Sequence, residues 1–479
     1  MLFNSLHFAV FFPAVLLIYH LLRRRWQNPF LVLASCYFYA SWNWKFLIPL
    51  IFSTSIDYVC ALKMEASLCR GEPCAKRRPF MLFSIVTNLG LLAFFKYSNF
   101  FIISFQAVLL SIGIHSDILM LNIILPIGIS FYTFQALSYS IDVYRGEMHA
   151  TTSFWDFFLA LLFFPHLVAG PIQRASNLLQ QIASERTVTR VQIEDGMHLI
   201  LWGFFKKVVI ADRMAPIANQ IFAVVSPSGG ETIIGVISFS IQIYCDFSGY
   251  TDIARGVAKL MGFELALNFN LPYFAINPSD FWKRWHISLS RWLKDYLYIP
   301  LGGNRNGKYR TYRNLMLTMV LGGLWHGAAW NFVLWGAYHG TLLGAHRYLV
   351  TVIPPNIASR FATKYASEYL WLIVRICSMF CVTCFGWLLF RATSTDQIAN
   401  MTISLLHPLN NLPVHLLPVV FTCTLPLILV QSLQRISGRL DFHRILPWRL
   451  VLWPVMYGTM IYCIVFLGAQ PQSFVYFQF

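Results

Sequence analysis

Apolar runs of about 20 residues recur along the chain, divided by short polar stretches, and a run of that length as a helix crosses the hydrocarbon of a bilayer. The first covers residues 1–22. It has no basic stretch before it and no small-residue cleavage site after it, so it reads as a first membrane helix and not a cleaved signal peptide. Residues 30–44 and 46–62 predict a hairpin turning at "SWNWK". Spans follow near 80–100 and 120–141, then a span or re-entrant segment near 154–172, and further spans near 197–211, 231–247, 371–390 and 418–434. A last span near 450–468 leads to the tail "QPQSFVYFQF". The alternating segments of about ten residues that mark a transmembrane β-barrel are absent from the pattern. The expected fold class is therefore an all-α polytopic membrane protein of roughly 11–13 transmembrane helices, with re-entrant and interfacial helices besides. A single integral membrane domain, 1–479, is expected, without internal repeats.

One stretch departs from this rhythm. Residues 314 to 346 carry no charge and lie between Arg313 and Arg347. As one straight helix these residues would extend about 50 Å at 1.5 Å per residue, against a hydrocarbon core of about 30 Å. If both basic ends are cytoplasmic, the stretch must break and return, and Gly322-Gly323 and Gly327 are the natural break points. Non-helical backbone at membrane depth is tolerated only where protein buries it or a wet cavity takes it. His326, inside "LGGLWHGAAW", is thereby expected beside a break and a cavity.

Composition agrees: 57% of residues are hydrophobic and 12% charged, where a soluble domain has roughly 25% charged residues. The net charge of +16 sits in short loops: Arg23, Arg24 and Arg25; the loop 63–79; and Arg435, Arg439, Arg444 and Arg449. That is the positive-inside distribution. It explains the excess charge by anionic membrane lipids and not by nucleic acid, and it sets the N-terminus and C-terminus outside. Cys69 and Cys74 fall in a loop expected to be cytoplasmic, where a disulfide is not expected. Cys377, Cys381 and Cys384 share a helix face with no histidine or acidic partner, and read as small buried residues and not as a metal site.

Residues 283–313 concentrate eight basic side chains and a single acid, Asp295, among Trp285, Trp292, Tyr296, Tyr298, Tyr309 and Tyr312. Such a segment suits the cytoplasmic membrane surface. Lipid binding is the simpler role; holding an anionic donor, such as a coenzyme or carrier phosphate, is the sharper one.

Two histidines stand out for chemistry, His286 in "FWKRWHISLSRW" and His326, 40 residues on. Histidine is the usual general base near neutral pH, and an ionisable group within the membrane is a functional candidate by default. A buried neutral imidazole bonded to a carbonyl is the competing explanation, and His7, His20, His166, His198, His339 and His346 show that residue type alone does not select. No G-x-S-x-G or phosphate-binding loop is present, and no zinc motif, so no metal is expected. Asp246 and Asp252 bracket a Ser-Gly pair in "YCDFSGYTDIARG"; they are expected to cap helix ends at a break, or else to orient a histidine or a donor.

At these residues the chain resembles the membrane-bound O-acyltransferases, in their bacterial branch of alginate and peptidoglycan O-acetylation membrane subunits and the D-alanyl transfer protein. The strings that carry the likeness are "CDFSGYTDIARGVAKLMGFEL", "FNLPYFAINPSDFWKRWHISLSRWLKDYLYIPLGGNR" and "GGLWHGAAWNFVLWGAYHG", densest over 244–340, with "FFPHLVAGPIQR" at 163–174 and "GFFKKVVIADRMA" at 203–215. The resemblance implies helices around a central funnel through the membrane. It implies transfer of an acyl group, here expected to be acetyl, from a cytoplasmic thioester to a hydroxyl on the other side. It maps the family's histidine onto His326 and the branch's second histidine onto His286. Lys283, Arg284, Arg291, Trp285, Trp325 and Asp246 become candidates for donor binding or support. The tail "FVYFQF" is similar to the aromatic terminus of a small partner in teichoic acid D-alanylation, which makes Tyr476 a candidate acyl acceptor that folds back toward the site; an aromatic anchor at the membrane interface is the alternative. No bound cofactor is expected; the donor would be acetyl-coenzyme A or an acyl-carrier thioester. The implied partner is an extracytoplasmic SGNH-type O-acetyltransferase, and the implied location the bacterial inner membrane. D-alanyl transfer to teichoic acid, a transporter or flippase with a histidine proton relay, and a cytochrome with His286 and His326 on haem iron are the competing functions.

Overall fold

The computed structural model describes residues 1–115, 120–167, 170–352, 368–445 and 449–477, and among these the secondary structure is helical throughout. Helices α1 to α9 are Leu6–Leu21, Arg24–Asn43, Leu47–Cys69, Cys74–Leu92, Ser98–Ser111, Ile129–Arg145, Phe154–Leu162, Phe164–Leu167 and Ala175–Ala183. Then come α10 (Arg190–Phe204), α11 (Asp212–Phe222), α12 (Gly229–Leu260), α13 (Pro278–Arg284), α14 (Ile287–Leu293), α15 (Lys308–His326) and α16 (Trp330–Val352). The series ends with α17 (Glu368–Arg391), α18 (Thr395–Ser404), α19 (Leu417–Ser437) and α20 (Arg449–Phe466). Five helical stretches are long and apolar enough to cross a membrane, Arg24–Cys69, Cys74–Ser111, Gly229–Leu260, Glu368–Arg391 and Val414–Ser437, and Leu6–Leu21 and Val451–Phe466 are shorter apolar helices. The protein is an all-α, multi-pass membrane protein. Its exposed large apolar side chains, Val86, Phe101 and Phe466 among them, are those of a lipid-facing surface.

The chain divides into two compact units, residues 1–200 with 253–266, and residues 201–252 with 267–479. In the first, α3, α4 and α6 pack together. They enclose a polar knot in which the Ser84 hydroxyl and the Asn88 amide donate to Asp57 at 2.5 and 2.8 Å. Two expected spans are redrawn here. The span near 120–141 begins as a helix only at Ile129, because Pro126 disfavours helical backbone before it and Gly128 is left-handed at φ 77. The segment near 154–172 is a nine-residue helix and a single further turn, almost wholly buried. At about 14 Å, nine helical residues cannot span the bilayer, so the re-entrant alternative fits. Val168 and Ala169 of "FFPHLVAGPIQR" lie outside the described residues.

The second unit holds both histidines of interest. Its α12 runs unbroken through Ser248-Gly249, so the expected helix break there is corrected. Gly249 serves close approach instead: a Cβ there would meet the Gly203 carbonyl oxygen at 2.8 Å and the Lys207 backbone nitrogen at 3.3 Å. Of the most apolar window of α12, 89% is buried, so this helix is sheathed in protein and can carry acids that a lipid-facing helix could not. The uncharged stretch 314–346 does break and return. The break lies at Gly327, which caps α15 in extended backbone, and not at Gly322-Gly323, which stay helical. A Cβ on Gly323 would fall on the Phe332 carbonyl oxygen, and one on Gly336 on that of Met319. The paired glycines let α15 and α16 pack at close range as a hairpin.

Candidate active site

His326 is the last residue of α15, directly before the Gly327 break. It is buried, with ring neighbours Trp325 at 5.0 Å, Trp335 at 5.1 Å, Phe390 at 5.4 Å and Tyr476 at 5.5 Å between centroids. The turn of α15 that ends here thus points an imidazole into an aromatic enclosure built from α15, α16, α17 and the C-terminal tail.

His286 sits at the turn between α13 and α14, fully buried, in the left-handed region at φ 43. Few side chains adopt that backbone without support. The support comes from the 268–270 strap. The Asn270 N–H donates to the Arg284 carbonyl and the Ile287 N–H to the Asn268 carbonyl, both at 2.9 Å. The Ser288 hydroxyl donates to Asn268 Oδ1 at 2.7 Å. The His286 ring lies 4.8 Å from Phe247 and 6.0 Å from Trp325. Since Phe247 is 4.6 Å from Tyr476 and Trp325 adjoins His326, the two histidines and the tail tyrosine share one cluster of rings.

The tail reaches this cluster along a track. The Arg213 guanidinium donates to the Leu467 carbonyl at 2.6 Å, and the Ala469 N–H to the Val208 carbonyl at 3.2 Å. Lys207 Nζ then donates to the Gln472 carbonyl at 3.0 Å, and the Val475 N–H to Asp246 Oδ2 at 2.7 Å. The Tyr476 hydroxyl ends buried, without a hydrogen-bond partner among the described residues. The final Gln478 and Phe479 lie outside the described residues.

The other sequence candidates divide. Asp246, expected as a cap, lies mid-helix and pairs with Lys207 at 2.8 Å; Asp252 pairs with Lys206 at 2.6 Å. A helix interior already has its amides bonded, so capping gives way to ion pairing. Trp285 is buried behind His286, stacked on Phe281 and 4.7 Å from Trp387. Trp325 stands between the histidines. Lys283 and Arg291 are exposed, and Arg284 is tied to Asp280 at 2.8 Å, outside the ring cluster. The segment 283–313 is thus no continuous surface helix: its first part is core around Trp285, His286 and Leu289, and its basic side chains project outward. Sequence reasoning passed over Lys206, Lys207 and Phe247. The lysine pair within "GFFKKVVIADRMA" was the available signal, two adjacent cations in an apolar run. Both are buried, and both lie in the π-helical stretch Phe205–Ala211, a widened turn often found at functional sites.

These features define the class: a multi-pass helical membrane protein with two histidines and a tyrosine gathered in one cluster of rings. A family model for membrane-bound O-acyltransferases matches residues 150–389. The "Probable alginate O-acetylase AlgI" of Pseudomonas putida is 42% identical over 403 residues, 84% of this chain and 79% of the relative. The "Peptidoglycan O-acetyltransferase" of Helicobacter pylori is 37% identical over 83% of this chain and 78% of its own. The "Teichoic acid D-alanyltransferase" of Bacillus subtilis is 29% identical over 56% of this chain and 69% of its own. The chain belongs to the membrane-bound O-acyltransferase family and is an O-acyltransferase.

Proposed function

We propose that the protein transfers an acetyl group from a cytoplasmic thioester to O-acetylate a cell-surface or secreted polysaccharide, with His326 as general base and Tyr476 as the first acceptor. The observation that carries the reading is the buried Tyr476 hydroxyl, without a hydrogen-bond partner among the described residues and with its ring 5.5 Å from that of His326. An unpaired buried hydroxyl costs about 1–3 kcal/mol, and a group kept so is available to a reactant.

In the proposed reaction the Tyr476 oxygen attacks the thioester carbonyl as His326 takes the phenolic proton. The C–S bond breaks, the acyl–oxygen ester forms, and the proton passes to the departing thiolate. A hydroxyl on the next acceptor then attacks the tyrosyl ester and returns a proton to Tyr476. His286 polarises or positions the donor. The water-poor ring enclosure limits hydrolysis of both esters. The exposed cations Lys283, Arg291 and Lys294 suit an anionic donor, acetyl-coenzyme A or an acyl-carrier thioester. The positive-inside charge pattern supports an inner-membrane protein with both termini periplasmic. The next acceptor would belong to an extracytoplasmic SGNH-type transferase. Acetyl transfer is favoured over D-alanyl transfer because the named O-acetylation relatives match at higher identity over more of the chain.

The test is surface-polymer mass analysis of cells carrying His326→Ala. Removal of a general base is expected to lower acetylation about 10²–10⁴-fold; acetylation at the wild-type level would defeat the mechanism and favour transport.

A further inference from the structure

Lys207 is almost completely buried, 1% exposed, between Asp212 and Asp246, each 2.8 Å away and no more exposed than 2%. Enclosing a cation with two carboxylates inside a membrane protein is costly, and hydrophobic residues of the same volume often serve stability as well. The use of this cluster lies in what else it holds. Lys207 Nζ donates to the carbonyl of Gln472, and Asp246 accepts from the amide of Val475. Both bonds go to main chain, three residues apart, on the segment that ends at Tyr476. Phe474, between the two bonded residues, lies 4.6 Å from Tyr250, whose ring is 5.6 Å from the Lys207 ammonium. The neighbouring Lys206 forms a similar pair with Asp252 and a bond to Ser248, and neither of these bonds goes to the tail.

We infer that the Lys207–Asp212–Asp246 cluster is a latch that seats residues 472–476 and so holds the Tyr476 ring beside that of His326. This deepens the proposed function and rests on its reading of Tyr476. Lys207 is a positioning residue: it acts on the tail backbone and not on the acyl group. The cluster fixes the tail at two main-chain points because a tail bearing a transferable group must return to one place after each turnover. Main-chain partners make the latch independent of the tail's side chains, so Tyr476 remains free to serve as acceptor.

The experiment is hydrogen–deuterium exchange of the C-terminal peptide in the full-length protein in lipid nanodiscs, read beside polymer acetylation in cells. Losing a hydrogen bond to a charged group is expected to raise tail exchange about tenfold or more in Lys207→Met. Acetylation should fall to the level of Tyr476→Phe, and the double variant should fall no further. Lys207→Arg, keeping the charge, restores part of both. Lys206→Met, which breaks a comparable buried pair, leaves tail exchange at the wild-type rate. Should Lys207→Met fail to fold, Val475→Pro removes the tail's donor at the first residue of the short 3-10 turn Val475–Phe477, a position where proline's fixed φ is tolerated, and Val475→Ala keeps it. Tail exchange unchanged in Val475→Pro, or raised equally by Lys206→Met and Lys207→Met, overturns the latch. A loosened tail in Lys207→Met with full acetylation in Tyr476→Phe keeps the latch and removes the relay. An inactive Tyr476→Phe with an unmoved tail in Lys207→Met and Val475→Pro does the reverse.

Discussion

His286 holds a backbone conformation, φ 43, that glycine and asparagine accept and most residues resist. That allows its ring and its backbone to be tested apart. Asparagine keeps the left-handed turn and removes the imidazole; alanine removes the imidazole and strains the turn by roughly 1–2 kcal/mol. His286→Asn is expected to melt above His286→Ala, with polymer acetylation lost in both. Acetylation retained in His286→Asn alone would reduce the residue to a turn-former. Tyr476→Phe is the cleaner change, since it keeps the ring packed on Phe247 and His326 and deletes one oxygen. The expected outcome is a properly inserted protein that melts at or above the wild-type temperature, since the unpaired hydroxyl is gone, and whose cells carry unacetylated polymer. Acetylation at the wild-type level would return Tyr476 to an interfacial anchor.

At the scale of elements, the hairpin α15–α16 sets where His326 lies, and its glycines are unequal. A Cβ at Gly323 strikes the rigid Phe332 carbonyl, whereas one at Gly322 meets the end of the Leu293 side chain at 3.1 Å, which can turn aside. Gly323→Ala is expected to cost about 1–3 kcal/mol through overpacking and to lower acetylation by displacing His326. In Gly322→Ala the helix gains about 0.5–1 kcal/mol from the lost glycine flexibility, which offsets the contact and leaves the melting temperature near wild type. Thermal melts of the two purified proteins check the difference. The same hairpin marks what a sequence can say of a helix. The length of an uncharged stretch demanded a return inside 314–346, and one occurs. Glycine alone could not say which residues bend, because glycine permits a break and also permits close packing. Only the partner across the interface decides, Phe332 for Gly323 and Gly203 for Gly249. The Ser-Gly pair in α12 serves close packing for that reason, and Asp246 and Asp252, which the sequence leaves open between capping a helix end and orienting a histidine or a donor, are counter-ions to Lys207 and Lys206.

Across the whole molecule, the apolar pattern and the placement of basic loops made the membrane class legible, and the long motif strings carried the family. The tail's route was not legible. Its bonds join residues 265 and 229 positions apart, Lys207 to Gln472 and Asp246 to Val475, and no periodicity encodes such a pairing. A chain ending before Gln470 is expected to insert in the membrane, to melt somewhat lower because Lys207 and Asp246 each lose a buried partner, and to leave the polymer unacetylated. Membrane fractionation with polymer mass analysis checks this, and full acetylation by the shortened chain would free the reaction from its tail.

The central claim is that the acyl group rests on Tyr476 on its way out. It is tested most directly by incubating membranes with an isotopically labelled acetyl thioester and locating the label in the digested protein by mass spectrometry. The expected result is one labelled acetyl ester on the peptide containing Tyr476, absent from Tyr476→Phe and His326→Ala. Label reaching the polymer at the wild-type rate in Tyr476→Phe would contradict it.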